Sequence, residues 1–537
     1  MTRRSLFGKK RKVNRLLSQN DSLQEQSYHL GFNLLENLTL IKEELGSSSD
    51  LVIRTINIGN KNKVKAALVF LDGLIDTDSI SEFIMESLKM NSFEGFEEEI
   101  SSPDKVMERI KENVLTISQV NMIASWEKMM LALLSGDTIL LIDGTNKGMT
   151  CSTKGGEHRA ISEPTGEPSV RGPQESFTES LRTNTALVRR RIRSSKLWME
   201  TMEIGDITRT DVVVMYVKGI ASEKIVAEVK ERLNQIETDE VLSSNTVEEF
   251  IIDKTLTPWP TIFVTERPDV VAGNLMDGRV VMFIDGTPHP LIVPATWNQF
   301  FHTAEDYYLR WNIATFLRFI RYFSFFLTLL GPAMFVAFLS YHPELIPTPL
   351  LVNLAAQRQG IPFPVFIEVI LMELTFEILR EAGLRMPRPY GQAVSIVGAL
   401  VIGEAAVQAG IVTSAVVIVV AATAIGSFTI PHNSMMNAVR ILRFPIMMLA
   451  GLFGIYGIAF GMIVLVAHSC SLRSFGIPYL APFAPMIPSD NADTILRLPK
   501  PWLKNRQRLI NQSKIKRTPD HQEPGVGQRN RKGKDKK

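Results

Sequence analysis

Three carboxylates interrupt an apolar run near residue 370. Val365–Leu379 reads VFIEVILMELTFEIL and contains Glu368, Glu373 and Glu377. On a helix, Glu373 and Glu377 lie one turn apart on one face, with Glu368 to one side. Charge in lipid is costly, so acids in a membrane segment face a bundle interior, a water path or a partner. Transport or ion release is the function class this favours, ahead of soluble enzymology. Glu404 and Gln408 sit one turn apart in a second apolar run; a polar packing contact is the competing reading for them. Glu373, Glu377, Glu368 and Glu404 are the candidate ion-pathway residues. Interfacial acids also pair with arginines, so even a full ring of them would not establish conduction.

Covalent and metal chemistry find little support. The chain contains no GxxxxGK[ST], HExxH or GxSxG pattern. His158, His289 and His302 have no metal-ligand spacing. Asp143 and Asp285 each precede a glycine, which suits turn-shaping better than catalysis. Cys151 and Cys470 lie in no CxxC and build no disulfide framework. No catalytic residue, cofactor or metal is expected, and the chain is not read as an enzyme.

The elements that would position the acids follow from a split in composition. Over 537 residues the net charge is only +3, yet residues 1–310 are rich in charge and residues 322–467 are mostly apolar. Basic runs mark both ends. Beside a membrane domain they suit anionic headgroups or cytoplasmic retention better than nucleic acid. The start lacks the apolar run of a signal peptide, so the first 310 residues are expected in the cytoplasm. Residues 1–60 are read as a basic, partly disordered extension. An α/β subdomain is expected over 61–150 and a second over 206–310, with an arginine-rich connecting helix region at 151–205. A multi-pass membrane domain over 311–488 and a basic tail over 489–537 complete the chain.

Within the soluble half, Val64–Leu71 is a strand candidate ending at Asp72-Gly73, and Asp78–Met90 has helical periodicity. Ile139–Ile142 reads as one arm of a hairpin. The order recurs: Val212–Val217 ends at Lys218-Gly219, and Ser222–Leu233 is an amphipathic helix. Gly278–Thr287 (GRVVMFIDGT) matches Gly136–Thr145 (GDTILLIDGT). Two such pairs at nearly one offset suggest an internal duplication, against the bland reading that strand-Asp-Gly is a common turn. In the connecting helix Leu181, Val188 and Ile192 share one face, and Arg182, Arg189 and Arg193 the adjacent one. These arginines suit a contact with another subunit or with headgroups; a solvated face is the alternative. Thr257-Pro258-Trp259-Pro260 reads as a rigid connection.

In the apolar half, Tyr322–Leu339 is a span candidate kinked at Gly331-Pro332, preceded by Arg310, Arg318 and Arg321 as a cytoplasmic flank. Ala393–Ala409 and Ile411–Ile430 read as a tight hairpin. Ile446–Ala467 is the cleanest span, with Gly454, Gly457 and Gly461 on one face for close packing. Positive charge on both sides of the hairpin puts those loops inside, so the glutamate helix must cross back from outside. A fifth crossing then leaves the basic tail outside, against the same rule. The proline-rich Ile477–Pro488 could return the chain, and a cytoplasmic tail is the expectation.

Several long segments in order resemble the A subunits of GerA-type nutrient germinant receptors of spore-forming bacteria. They are Glu179–Arg193 (ESLRTNTALVRRRIR), Thr246–Asp269 (TVEEFIIDKTLTPWPTIFVTERPD), Gly278–Pro294 (GRVVMFIDGTPHPLIVP) and Phe300–Tyr308 (FFHTAEDYY). The resemblance covers roughly residues 60–500. It implies a spore inner-membrane protein acting with B and C subunits, and a homo-oligomer of A subunits forming a cation channel that opens when nutrient binds. It carries over Arg182, Asn184, Pro258, Trp259, Glu266, Arg267 and Asp285 as structural or coupling positions. Arg189 and Arg193 join them as assembly candidates from the helix face above. A secondary transporter, a membrane-anchored enzyme and a membrane-anchored signalling protein are the competing classes. The first lacks a membrane repeat, and the second lacks catalytic motifs.

Overall fold

A computed structural model describes residues 29–58, 64–76, 80, 103–111, 120–155, 164, 166–386, 403–510 and 516–517. Most of the expected helix Asp78–Met90, and the first part of the expected Ala393–Ala409 run, lie outside these residues.

The α/β region contains the same unit twice. The first runs α1 (Leu34–Glu44), β1 (Leu51–Ile58), β2 (Val64–Leu71), α2 (Pro103–Arg109), β3 (Val120–Ile123), α3 (Trp126–Leu134), β4 (Thr138–Ile142) and β5 (Gly148–Cys151). The second runs α4 (Leu181–Arg191), β6 (Leu197–Ile204), β7 (Thr210–Val217), α5 (Glu223–Asn234), α6 (Ser244–Ile251), β8 (Phe263–Val264), α7 (Pro268–Asp277), β9 (Val280–Ile284) and β10 (Leu291–Val293). Their five-stranded sheets have matching strand orders, β1-β2-β4-β5-β3 and β6-β7-β9-β10-β8, antiparallel wherever strands pair.

The turns repeat as well. Asp143 Oδ1 accepts from the backbone N–H of Leu34 at 3.1 Å, and Asp285 Oδ1 from that of Leu181 at 3.2 Å. Each aspartate therefore satisfies a free donor at the start of its unit's first helix. The likeness of Gly136–Thr145 to Gly278–Thr287 thus coincides with a repeat of topology and capping. One further pair escaped the sequence reading. Asn37 bridges the N–H and C=O of Gly31, and Asn184 bridges those of Thr178. Each side chain ties its helix to the strand-like lead-in before it.

Two expected boundaries move. Residues 29–58 are not an extension: α1 buries Leu34, Leu38 and Ile41, and β1 pairs along the whole of β2. The connecting region also dissolves, because α4 and β6 are the opening elements of the second unit. Strand alternation explains the packing of β7. Val213, Met215 and Val217 face one core, and Val212, Val214 and Tyr216 the other. The first of these cores continues through Trp259, Phe300 and Phe325 into the helical region.

That region comprises α8 (Trp311–Tyr341), α9 (Thr348–Gln357), α10 (Val365–Arg385), α11 (Ser414–Phe428) and α12 (Asn433–Ser471). Among the described residues, α8 and α12 are long and apolar enough to cross a membrane. The helix α8 starts eleven residues before the expected span and continues through Pro332.

The helix α12 is a hairpin, contrary to the single span expected at Ile446–Ala467. A straight helix of 39 residues would reach nearly 60 Å. Instead both ends touch the second α/β unit: the His432 ring meets that of Phe263 edge to face at 4.5 Å, and His468 Nε2 lies 3.0 Å from Thr257 Oγ1. Reversal occurs at Gly454, with φ 61° and ψ −139°. A Cβ on Gly461 would lie 3.1 Å from Leu449 and 3.9 Å from Ile446, so the two arms run side by side. The glycines do permit close contact, but within the chain's own hairpin. Gly454→Ala should cost roughly 1–3 kcal/mol in backbone strain alone. The added Cβ would also meet Tyr341 Cβ at 2.9 Å. A marked fall in melting temperature of the purified protein is the expected readout; an unchanged value would contradict the reversal.

The chain after the hairpin packs back against the α/β region. Leu472–Tyr479 returns onto the second α/β unit, where Phe475 N–H donates to Asp253 at 2.7 Å and Ser474 Oγ to the carbonyl of Thr261 at 2.7 Å. The chain reverses at Gly454, ahead of Ile477–Pro488.

Candidate functional site

Glu368, Glu373 and Glu377 of α10 face inward. Ile367, Leu371, Leu374 and Ile378 form the exposed stripe of the helix, spaced by four, three and four residues. Glu368 is fully buried, accepting from the backbone N–H of Thr413 at 3.0 Å with the Arg358 guanidinium 3.5 Å away. Glu373, also fully buried, lies 2.9 Å from Arg443 Nη2. Glu377 accepts from Arg443 Nη2 at 3.0 Å and Arg440 Nε at 3.1 Å. Each acid thus has a cation within the chain. Burying either charge alone would cost several kcal/mol, and pairing offsets that. Arg440 and Arg443, expected as loop charges, lie in the first arm of α12 facing α10. Glu404 stands apart, exposed, with Gln408 donating to it at 3.0 Å.

The arginine helix α4 is the seam between the two α/β units. Arg189 is 1% exposed. It donates to both carboxylate oxygens of Asp50 at 2.9 and 3.0 Å, to Ser48 Oγ at 3.1 Å, and to the carbonyl of Leu197 at 2.7 Å. Asp50 immediately precedes β1 of the first sheet, and Leu197 is the first residue of β6 in the second. The planar, five-donor guanidinium suits this joint in a way lysine would not. Arg182 reaches Asp72 at 2.7 Å from an exposed position, and Arg193 is exposed.

The remaining candidates gather where the second unit meets the helices. Trp259 is buried, its ring 6.3 Å from Phe325 of α8, with Pro258 half-buried beside it. Glu266 accepts from the backbone N–H groups of Gly166 and Glu167 at 2.6 and 2.7 Å. Arg267 is buried and donates to Asp269, Ser169 and the carbonyls of Glu167 and Pro173. Together these two residues anchor the loop 166–173 to the start of α7.

The sequence reading missed the centre of this junction. Asp306 is fully buried, and Arg318 Nε and Arg321 Nη1 donate to its Oδ2 at 3.0 and 2.8 Å. Arg318 also donates to Asp493 at 2.9 Å, to which Tyr307 donates at 2.9 Å. Far from flanking a span in solvent, the two arginines tie α8 to the α/β region and to the tail. The rule that singled out the glutamates, charge inside an apolar helix, would have flagged them too.

Beside this network lies a cleft of about 1200 Å³ between the second α/β unit, the ends of α10 and α11, and the tail. Burial is the main reason that the carboxyl of Glu167 on its wall is pushed up to about 7; a hydrogen bond from Thr265 opposes the shift. Burial likewise raises Asp277, against the nearby Arg517 and Arg279. Among the described residues no group of three or more His, Cys, Asp or Glu could hold a metal ion.

Comparison with known proteins gives this architecture a family. The model for the Bacillus/Clostridium GerA spore germination protein matches residues 39–509. Spore germination protein KA of Bacillus subtilis (strain 168) is 45% identical over 482 residues, covering 90% of this chain and 87% of that protein. Spore germination protein A1 of the same organism is 36% identical, covering 89% and 95%. The crystal structure of the N-terminal domain of the A subunit of the Bacillus megaterium spore germinant receptor GerK3 matches at 41% identity with a TM-score of 0.41, covering 51% of this chain and 99% of that one. Matched over most of its length by the family model and by full-length relatives, the chain belongs to the GerA family of spore germination proteins.

Proposed function

We propose that this chain is the A subunit of a nutrient germinant receptor in the spore inner membrane, acting with B and C subunits. The observation that carries the reading is its 45% identity to a spore germination protein across 90% of the chain. Deleting the chain should abolish the germination response to at least one nutrient. An undiminished response to every nutrient tested would overturn the reading.

In this proposal the helical region crosses the membrane several times, with the α/β units and the tail on the cytoplasmic side. The contacts favour that arrangement. Trp311, Arg385, Phe428, Asn433 and Ser471 lie at the α/β end, whereas Tyr341, Val365, Ser414 and Gly454 lie at the other. Tyr341 donates to the carbonyl of Gly451 at 2.6 Å, and Phe366 abuts Gly451. The tail then lies on the α/β side, in keeping with the positive-inside rule for its basic residues.

The subunit also oligomerises, in this reading, around a cation path to which Glu368, Glu373, Glu377 and Glu404 contribute. Arg440 and Arg443 neutralise two of the acids in the arrangement described here. Nutrient binding on a partner would act by favouring a state in which these pairs part. Glu377→Gln should then slow cation release after nutrient addition at an unchanged protein level. Release at the parental rate would remove Glu377 from the path.

A further inference from the structure

The cleft beside Asp306 has two unlike walls. One is polar, formed by Asn274, Arg279, Asn298 and Gln299; the other is apolar, formed by Phe376, Leu379 and Leu384 of α10 and Phe428 of α11. The polar wall carries four buried atoms with no hydrogen-bond partner: Arg279 Nε, Asn298 Nδ2, Asn298 Oδ1 and Gln299 Oε1. Asn298 is 1% exposed, so leaving both of its amide atoms unmatched is costly. Two donors and two acceptors call for an occupant that accepts on one part and donates on another. Arg380 also lines the cleft and forms no ion pair among the described residues; its contacts are Met436 Sδ at 3.5 Å and the Phe428 ring at 5.9 Å. Three of the acids lining the cleft are engaged. Asp277 is paired with Arg517, Asp493 with Arg318 and Tyr307, and Asp490 accepts from the N–H of Arg508.

We propose that this cleft holds the phosphate and hydroxylated headgroup of an anionic phospholipid from the leaflet facing the α/β region. The proposal rests on the membrane reading above, which puts these ends of α10 and α11 at the level of the headgroups. The phosphate meets the guanidinium groups of Arg279 and Arg380, for which an anionic acceptor is the fitting partner. Headgroup hydroxyls donate to Asn298 Oδ1 and Gln299 Oε1 and accept from Asn298 Nδ2. The acyl chains run along Phe376, Leu379, Leu384 and Phe428. A soluble polyol phosphate shares the polar chemistry, but it leaves the apolar wall without a partner, and this favours the amphiphile.

The test uses the full-length protein, extracted from membranes and examined by native mass spectrometry after delipidation. A retained phosphatidylglycerol-type lipid, one per chain, is expected, with phosphatidylcholine failing to replace it. Asn298→Leu combined with Arg380→Gln should reduce retention about tenfold or more, as the loss of a charged and a neutral contact implies. Equal retention by this variant, exchange with phosphatidylcholine, or displacement of the lipid by glycerol phosphate would each overturn the proposal. If the variant does not fold, the identity of the lipid on the parental protein still decides the matter. Resistance to alkaline carbonate without a bound lipid would overturn this proposal alone; release by carbonate would overturn the membrane reading and this proposal with it.

Discussion

Asp306→Ala is expected to destabilise the protein by roughly 3–5 kcal/mol, because it leaves buried cations without their counter-ion. Arg318 and Asp306 are both fully buried, and neither arginine can turn to solvent without leaving the interface between α8 and the α/β region. Asp306→Asn keeps the shape and some hydrogen bonding, so a smaller loss is expected. Dependence on pH separates charge from shape. Burial alone would raise the Asp306 carboxyl, but the hydrogen bond from Arg321 and the charges of Arg321 and Arg318 hold it below the usual aspartate range. A carboxyl whose folded pKa lies below its unfolded value stabilises fully above about pH 4 and loses that contribution as pH falls through the folded value. The gap in melting temperature between Asp306 and its asparagine variant should therefore be full near neutrality and close on acidification. A gap that persists unchanged at low pH would mean that charge is not the cause.

Arg443→Leu should have an effect of similar size, again about 3–5 kcal/mol. Its guanidinium serves both Glu373 and Glu377, and removing it strands Glu373 in an apolar interior with no other cation within ion-pair distance among the described residues. Glu377 keeps Arg440. Adding Glu373→Leu to Arg443→Leu should restore much of the loss, since replacing a buried pair by apolar groups is often neutral or better. Melting of the single and double variants in the same detergent checks this. A single variant as stable as the parent would show that the pair makes no net contribution, and a double variant no better than the single would show that the cost lies in packing.

Much of the α/β region was legible as pattern. The strand β7 announces itself as a short continuous apolar run ending at a turn, the helix α5 by a period of 3.6 residues, and the repeated Asp-Gly turns mark corresponding hairpins. Strands ending in Asp-Gly mark the turns of the repeat but not the equivalence of Asn37 and Asn184, which rests on a bridging hydrogen-bond pattern and not on neighbouring identity. The polar composition of residues 29–58 reads as an extension. In the structure β1 is half-exposed along one edge of its sheet, where polar residues are tolerated.

From sequence alone the chain declared acids in an apolar helix, an arginine-rich helix, and a charged half followed by an apolar one. Those properties are local: composition, spacing and the cost of charge in lipid are read from neighbours along the chain. What neutralises the acids was decided by tertiary structure, because Arg440 and Arg443 lie more than sixty residues away and only the folding of α12 against α10 brings them together. The course of the last apolar run was decided there too. Three glycines at helical spacing are compatible with a continuous packing face or with a turn. Only the left-handed backbone at Gly454, held against Tyr341 and the returning arm, selects the turn.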